Sequence, residues 1–143
     1  MKCKLILLMT LATINYAAFS QKINASKVPA VVKNTFEKQY PSTTVTWEKE
    51  NGKYEAAFIK NGTSMSALYE INGTLAETEI EIKVTALPAA IIKYVKENYK
   101  QSAIKSAAKI TLANGTTNYE AALAGKDLIF DENGKFLREV KEK

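Results

Sequence analysis

Two stretches of the chain carry apolar residues at the spacing of an amphipathic helix. In residues 28–40 and 87–99, apolar side chains recur every three or four positions, which places them on one side of a helix. Pro29 and Pro88 stand near the start of these stretches, where a missing N–H costs no hydrogen bond, and Pro41 ends the first one. Because each stripe covers only one side, the pattern predicts two helices that lie on an apolar surface.

After each helical stretch the chain alternates apolar and polar residues, which is the pattern of half-buried β-strands. Five of the six glycines follow an asparagine, the pair that supplies two positive φ angles to a tight hairpin, and Gly125 takes the place of the sixth turn. The turns and the alternation together predict eight strands, at residues 43–50, 53–60, 63–70, 74–83, 103–112, 117–123, 126–131 and 135–141.

The two halves of the chain resemble one another. Matching segments are Val28-Pro29-Ala30 with Leu87-Pro88-Ala89, Tyr54-Glu55-Ala56-Ala57 with Tyr119-Glu120-Ala121-Ala122, and Asn72-Gly73 with Asn133-Gly134. Because these matches occur in the same order at nearly one period, they favour an internal repeat over chance similarity. We therefore predict two copies, 24–83 and 84–143, that share one domain.

Alternation also assigns the faces of the predicted sheet. Tyr54, Phe58, Tyr119 and Leu123 fall on one side, which receives the helices and forms the core. Trp47 is in phase with this side and is interpreted as a core residue, but a slip of one residue would make it an anchor for a partner on the other side. The opposite face is mixed in polarity, and its candidate partner-binding residues are Thr46, Glu48, Glu55, Ala57, Ile59, Ser66, Leu68, Glu120, Ala122 and Ile129.

The first 20 residues have the layout of a secretory signal peptide. Lys2 and Lys4 precede an apolar run, and Ala18-Phe19-Ser20 resembles a cleavage site with small residues around a variable one. The run, at residues 5–19, is shorter than the roughly 20 residues that a membrane span needs. We therefore expect cleavage after Ser20, a periplasmic or secreted mature chain, and no membrane span after cleavage.

Composition narrows the possible chemistry. The 143 residues contain no histidine, and the one cysteine, Cys3, would leave with the signal peptide. Without these residues, the mature chain cannot use histidine for general acid–base catalysis. Catalytic Ser-His or Cys-His pairs and metal sites built from His and Cys are excluded as well. Removing Lys2 and Lys4 leaves 18 basic residues against 15 acidic ones, a net charge of +3 that is too weak to indicate nucleic acid binding. We expect a non-enzymatic protein without a cofactor.

Three carboxylates form a weak candidate metal site. Glu77, Glu79 and Glu81 alternate along one predicted strand, so they share a face on which Ca²⁺ or a basic partner could bind. They spread over roughly 13 Å, too far for one ion, which favours a solvated strand. Asp131-Glu132-Asn133-Gly134 resembles the opening of a calcium loop, but the later ligands are not at the required spacing and a hairpin turn explains the segment.

The helices that begin at proline, the Tyr-Glu-Ala strands and the Asn-Gly turns resemble the PepSY-like family of exported bacterial proteins, which have a beta-lactamase-inhibitor-like fold. The resemblance implies an α+β fold in which a helix plus four antiparallel strands occurs twice. It implies that the helices pack on one face of an eight-stranded antiparallel sheet and that the other face is open to protein contact. The disulfides of secreted beta-lactamase inhibitors are missing, so inhibition of a beta-lactamase is not carried over.

The missing catalytic side chains, the mixed open face and the resemblance lead to one functional expectation. We expect an exported, non-enzymatic binding module that presents its open sheet face to a protein or peptide, with modulation of an envelope or secreted peptidase as one form of that function. The alternative is a periplasmic protein that binds a small ligand or Ca²⁺.

Overall fold

Nine strands and two α-helices make up residues 20–141, the part of the chain that the computed structural model describes. The elements, in chain order, are β1 Ser20–Ile23, a 3-10 turn Ala25–Lys27, α1 Ala30–Gln39, β2 Val45–Glu50, β3 Lys53–Lys60, β4 Thr63–Tyr69, β5 Leu75–Ile82, a second 3-10 turn Val84–Ala86, α2 Ala89–Asn98, β6 Ser106–Leu112, β7 Thr117–Leu123, β8 Lys126–Asp131 and β9 Phe136–Lys141. The predicted signal peptide lies outside the described residues, apart from Ser20.

All nine strands belong to one sheet, in which each strand pairs antiparallel with the next one in the chain. The predicted count of eight strands is therefore wrong by one. The extra strand is β1, whose residues Ser20 to Ile23 pair with Glu50 to Trp47 of β2. Its four residues are too few to show an alternating pattern, and pairing at a sheet edge depends on backbone groups rather than on side chains.

Both helices lie on the same face of the sheet, each above its own apolar cluster. Under α1, the Phe36 ring meets Trp47 at a centroid distance of 5.5 Å and Phe58 at 5.2 Å, both edge to face. Under α2, Ile91 and Val95 are fully buried in the second cluster. The predicted core residues Tyr54, Phe58 and Leu123 are buried and Tyr119 is half-buried, so the predicted assignment of this face is confirmed.

The Asn-Gly pairs form two kinds of turn. Asn51-Gly52 and Asn61-Gly62 have positive φ angles at both residues, as the sequence predicts for tight two-residue hairpins. At Asn72-Gly73, Asn114-Gly115 and Asn133-Gly134 only the glycine has a positive φ. In these three turns the glycine N–H donates to the carbonyl three residues earlier, which is the arrangement of a longer hairpin with a left-handed glycine.

The same irregularity interrupts the last strand pair of each half. The register between β4 and β5 shifts after Leu68, where Leu68 pairs with Glu77 but Tyr69 pairs with Leu75. Between β8 and β9 it shifts after Ile129, where Ile129 pairs with Arg138 but Phe130 pairs with Phe136. A bulge of this kind bends a strand and increases its twist, so the sheet bends locally at the β4–β5 pair in its centre and at the β8–β9 pair at its edge.

Candidate partner-binding face

Antiparallel pairing fixes which side chains share the face that carries no helix. Residues paired directly across neighbouring strands point to the same side of a sheet. One such row runs across six strands through Thr46, Ala57, Ser66, Glu79, Ile110 and Asn118. A second row runs from Glu81 through Ala108, Glu120 and Ile129 to Arg138. We call this side of the sheet the helix-free face.

The ten partner-binding candidates from the sequence all lie on the helix-free face. Two of them differ from expectation, because Ala122 and Ile129 are buried rather than open. Trp47 is 3% exposed beneath α1, so its alternative role as an anchor on the other face is wrong. The reason is the register of β2, which pairs Trp47 with Ala56 on the helix side.

An apolar group occupies the second half of the helix-free face. Ala108, Ile110, Ala122 and Ile129 are buried, yet they belong to neither of the clusters beneath the helices. Asn118 lies beside Ile110 in the neighbouring strand and is also buried. The sequence analysis did not include the β6 residues Ala108 and Ile110 among the candidates. Ala107 and Ala108 are neighbouring residues of the same type, so the apolar–polar alternation does not show which of them lies on the helix-free face.

Carboxylates surround this apolar group. Those on the helix-free face are Glu48, Glu50, Glu55, Glu77, Glu79, Glu81, Glu120, Asp127 and Asp131. The cations at paired positions of the same face are Lys22, Lys53 and Arg138. Lys53 also forms an ion pair of 2.6 Å with Glu70. The face is therefore acidic although the chain as a whole has a net charge of +5.

The crowded carboxylates have raised pKa values. Burial, followed by the charges of Glu55, Glu77, Asp127 and Glu50, raises the pKa of Glu79 to about 7. Burial is also the main cause that raises the pKa of Glu55, and a hydrogen bond with Ser66 opposes it. A raised carboxyl pKa means that the charged form is disfavoured, so burial and neighbouring carboxylates both oppose ionisation of these side chains.

Charges from distant strands act on the same carboxylates. Burial raises the pKa of Glu77 in β5, and the charge of Arg138 in β9 opposes this rise. Burial is also the main cause that raises the pKa of Glu79, and Asp127 of β8 adds to it. Charges on β8 and β9 therefore contribute to the electrostatics of the β5 carboxylates on the same face.

The first half of the helix-free face ends in an open groove. The groove has a volume of about 780 Å³ and lies at the start of β2 and the end of β3, beside the β3–β4 turn. Its lining residues include Thr44, Thr46, Ala57, Ile59 and Ser64. Ile59 is 70% exposed there, so an apolar side chain stands at the mouth of the groove.

The candidate calcium positions do not form a metal site in the structure. Within residues 20–141, no three or more Asp, Glu, His or Cys side chains are grouped so that they could hold a metal ion. Asp131 instead stabilises its own turn, because its Oδ1 accepts hydrogen bonds from the backbone N–H groups of Asn133 and Lys135, both at 2.9 Å. In the described residues, neither helix has the length and apolar character needed to cross a membrane.

The sequence matches the family described as "Putative beta-lactamase-inhibitor-like, PepSY-like" over residues 17–75 and 52–138. The chain belongs to the PepSY-like family. The two overlapping matches cover both halves of the sheet, and the residues that carried the resemblance at the sequence level lie inside them. A comparison with proteins of curated function found no match.

Solved structures from Bacteroides share the PepSY-like fold of this chain. A putative periplasmic protein from Bacteroides eggerthii is 15% identical, with a TM-score of 0.64 over 80% of this chain and 88% of its own. A DUF2874 family protein from Bacteroides uniformis is 16% identical, with a TM-score of 0.66 over 79% and 88%. A BLIP-like protein from Bacteroides fragilis is 23% identical, with a TM-score of 0.59 over 79% and 86%. At these identities the similarity concerns the fold.

Proposed function

We propose that this PepSY-like protein is an exported, non-enzymatic binding module whose helix-free face binds a protein or peptide. The observation that carries the proposal is the one-sided packing of the helices, which leaves the other sheet face uncovered by helices, with apolar side chains such as Ile59 and Leu68. Grouped apolar side chains with a polar rim are typical of sites that bind another macromolecule.

The site of action in this proposal is the periplasm or the extracellular space. The signal-peptide layout of residues 1–20 supports it, and so does the printed description of the Bacteroides eggerthii structure as periplasmic. The proposed absence of catalysis rests on the lack of histidine in the sequence and of cysteine beyond Cys3.

The proposal includes a duplicated architecture, with copies at 24–83 and 84–143. Each copy would contain a 3-10 turn, a helix of ten residues and four strands, and the bulges after Leu68 and Ile129 would correspond. A face built from two such copies is long enough to bind an extended surface. By analogy with the BLIP-like relative, the partner in this proposal is an envelope or secreted enzyme such as a peptidase.

The test uses purified residues 21–143 as bait against envelope and secreted fractions. We expect one dominant partner, lost when Ile59→Lys or Leu68→Lys places a cation on the helix-free face. The matched control is Ile71→Lys, because Ile71 is 65% exposed but lies in the turn between β4 and β5. Equal recovery by Ile59→Lys and Ile71→Lys, with folding intact by circular dichroism, would contradict the proposal.

A further inference from the structure

The sheet ends at β9 in an open strand. β9 pairs with β8 and stands last in the order of the sheet, so within residues 20–141 no strand covers its outer side. β5, the fourth strand after α1, is covered on its outer side by β6, whereas β9, the fourth strand after α2, is not. Residues of an antiparallel strand direct their N–H and C=O groups alternately to the two sides, so the outer groups of β9 are able to pair with a strand of another molecule.

The charges of this strand are arranged symmetrically about Val140. Arg138 and Glu139 precede the valine, and Lys141 and Glu142 follow it in the sequence. When the segment is set against a copy of itself that runs in the opposite direction, each cation therefore meets an anion. Charged side chains on an edge strand usually oppose pairing, but these signs favour pairing of the strand with its own copy.

Two of these charges lie on the helix side of β9, where Glu139 pairs with Leu128 and Lys141 pairs with Lys126 of β8. Nζ of Lys126 is 3.1 Å from Oε1 of Glu139, and Tyr99 donates a hydrogen bond of 2.9 Å to Oε2. These hydrogen bonds lower the pKa of Glu139, so its carboxylate is charged at neutral pH. Within residues 20–141, Lys141 forms no ion pair and stands opposite a residue of like charge. A second carboxylate beside Lys141 would compensate this charge.

We propose that this protein forms a dimer in which β9 pairs antiparallel with β9 of a second copy, centred on Val140. Glu139 of each copy would lie opposite Lys141 of the other, which gives two pairs of opposite charge around a contact between the two valines. The copies would be related by a two-fold axis perpendicular to the sheet, so both helix-free faces would point the same way. This inference goes beyond the proposed function and does not depend on it.

Other pairings of the edge strands are less favourable. A pair centred on Arg138, Glu139 or Lys141 would place that charged residue opposite itself. A pair centred on Leu137 would fall on the bulge between β8 and β9, which interrupts regular pairing. β1, at the other edge, contains one charged residue, Lys22, and its pairing with β9 of another copy would give an open chain of molecules rather than a closed dimer.

The first experiment measures sedimentation velocity of residues 21–143 at concentrations from about 10 μM to about 1 mM. A single strand pair covers less area than the roughly 1,200 Å² of a standard interface, so we expect a reversible monomer–dimer equilibrium with a dissociation constant within this range. A monomer at every concentration would overturn the inference. Species that continue to grow beyond a dimer would overturn it as well.

Two charge variants test whether β9 forms the contact. Lys141→Glu makes positions 139 and 141 both anionic, and Glu139→Lys makes both cationic, so like charges would meet in either homodimer. We expect each variant alone to dimerise at least about tenfold more weakly than the natural chain. An equimolar mixture of the two should form a heterodimer, because opposite charges then meet at both pairs. A mixture that stays monomeric would contradict this contact.

The matched control is an ion pair on α2, where Lys93 and Glu97 are both exposed and their charged atoms are 3.8 Å apart. Lys93→Glu and Glu97→Lys change the net charge by the same amounts as the two β9 variants. We expect both control variants to dimerise like the natural chain. Equal weakening by the control and β9 variants would show an effect of net charge and would overturn the pairing of β9.

A cysteine at the centre of the strand pair tests the register. The sequence contains no cysteine beyond Cys3, so a single substitution in residues 21–143 gives one thiol per chain. In the proposed dimer the two Val140 residues lie opposite each other at a Cα distance of about 4.5–5.5 Å, which a disulfide spans, so we expect oxidation to link Val140→Cys into a covalent dimer. Arg138→Cys is the control, because the two Arg138 residues would be about 13 Å apart. Linkage of Arg138→Cys as efficient as that of Val140→Cys, or no linkage of Val140→Cys, would overturn the proposed register.

Discussion

At the scale of single residues, two glycines join the sheet to the helices. Gly73 and Gly134 have φ angles of +84° and +81° and lie where a turn touches the start of a helix. A Cβ on Gly134 would stand 2.8 Å from Cβ of Ala90, and one on Gly73 would stand 2.9 Å from Cγ2 of Val31. These glycines are needed for close approach as well as for backbone conformation.

Gly134→Ala tests this close approach, with Gly115→Ala as its control. Gly115 has the same φ of +84° in the same kind of turn, but a Cβ there meets nothing within 4 Å. We expect Gly115→Ala to lower the free energy of unfolding by about 1 kcal/mol through backbone strain alone. Gly134→Ala should cost at least about twice as much in urea unfolding, because α2 must also move. Equal losses would contradict a packing role for Gly134.

Single residues also set the electrostatics of the helix-free face. The pKa of Glu79 rises to about 7 because burial and four other carboxylates act on it together. This rise in the pKa of Glu79 cannot be predicted from any single position in the sequence. The alternation of Glu77, Glu79 and Glu81 is visible in the sequence, whereas their proximity to Glu55 and Asp127 depends on pairing across strands.

At the scale of elements, most of the fold follows from local patterns. The predicted strands 53–60, 117–123 and 126–131 have the observed bounds, and the two helices begin and end within two residues of expectation. These elements have clear turns on both sides and a regular apolar phase. β1 lacks both signals, so it was found only through its backbone pairing with β2.

The contribution of β1 can be measured by truncation. Ile23 packs against the first core cluster and pairs with Trp47 of β2. We expect a chain that starts at residue 24 to be less stable in urea than one that starts at residue 21, by about 1 kcal/mol, because a partly buried isoleucine and edge hydrogen bonds are lost. Ile23→Ala in the longer chain separates the two losses. Equal stability of the two chains would show that β1 does not stabilise the sheet.

At the scale of the whole molecule, one continuous sheet connects the two halves. β5 of the first half pairs with β6 of the second from Glu77–Leu112 to Ile82–Ala107. The two apolar clusters are separate, but separation of the halves would break this strand pairing. Each cluster is small for an independent domain, so we infer that the halves stabilise each other through the sheet.

Ile91→Ala tests this coupling across the sheet. Ile91 is fully buried in the second cluster, whereas the only tryptophan, Trp47, lies in the first. We expect a loss of roughly 2–5 kcal/mol from the cavity, seen as the same shift of the urea midpoint by Trp47 fluorescence and by circular dichroism. Val32→Ala, in the cluster of Trp47, is the reference. An unchanged fluorescence midpoint in Ile91→Ala would show that the halves unfold independently.

Some properties of the candidate site could be predicted from the sequence, and others could not. Alternation predicted that all ten candidate residues share one face, and the strand pairing places them together on the helix-free face, because the direction of side chains in a strand has a period of two residues. It could not show that Ala122 and Ile129 would be buried, or that Ile110 and Asn118 would join them. Burial depends on the side chains of neighbouring strands, which come from distant parts of the chain.

The sequence by itself determined most of the elements, their order and the side of the sheet that receives the helices, since these depend on local periodicity and turn residues. The family followed from the resemblance of its motifs, which the family match confirms. Only the tertiary structure decided that a ninth strand joins the sheet, that Trp47 belongs to the core and that charges of β8 and β9 act on carboxylates of β5. The reason is physical: these features arise from contacts between segments far apart in the chain, which local patterns do not encode.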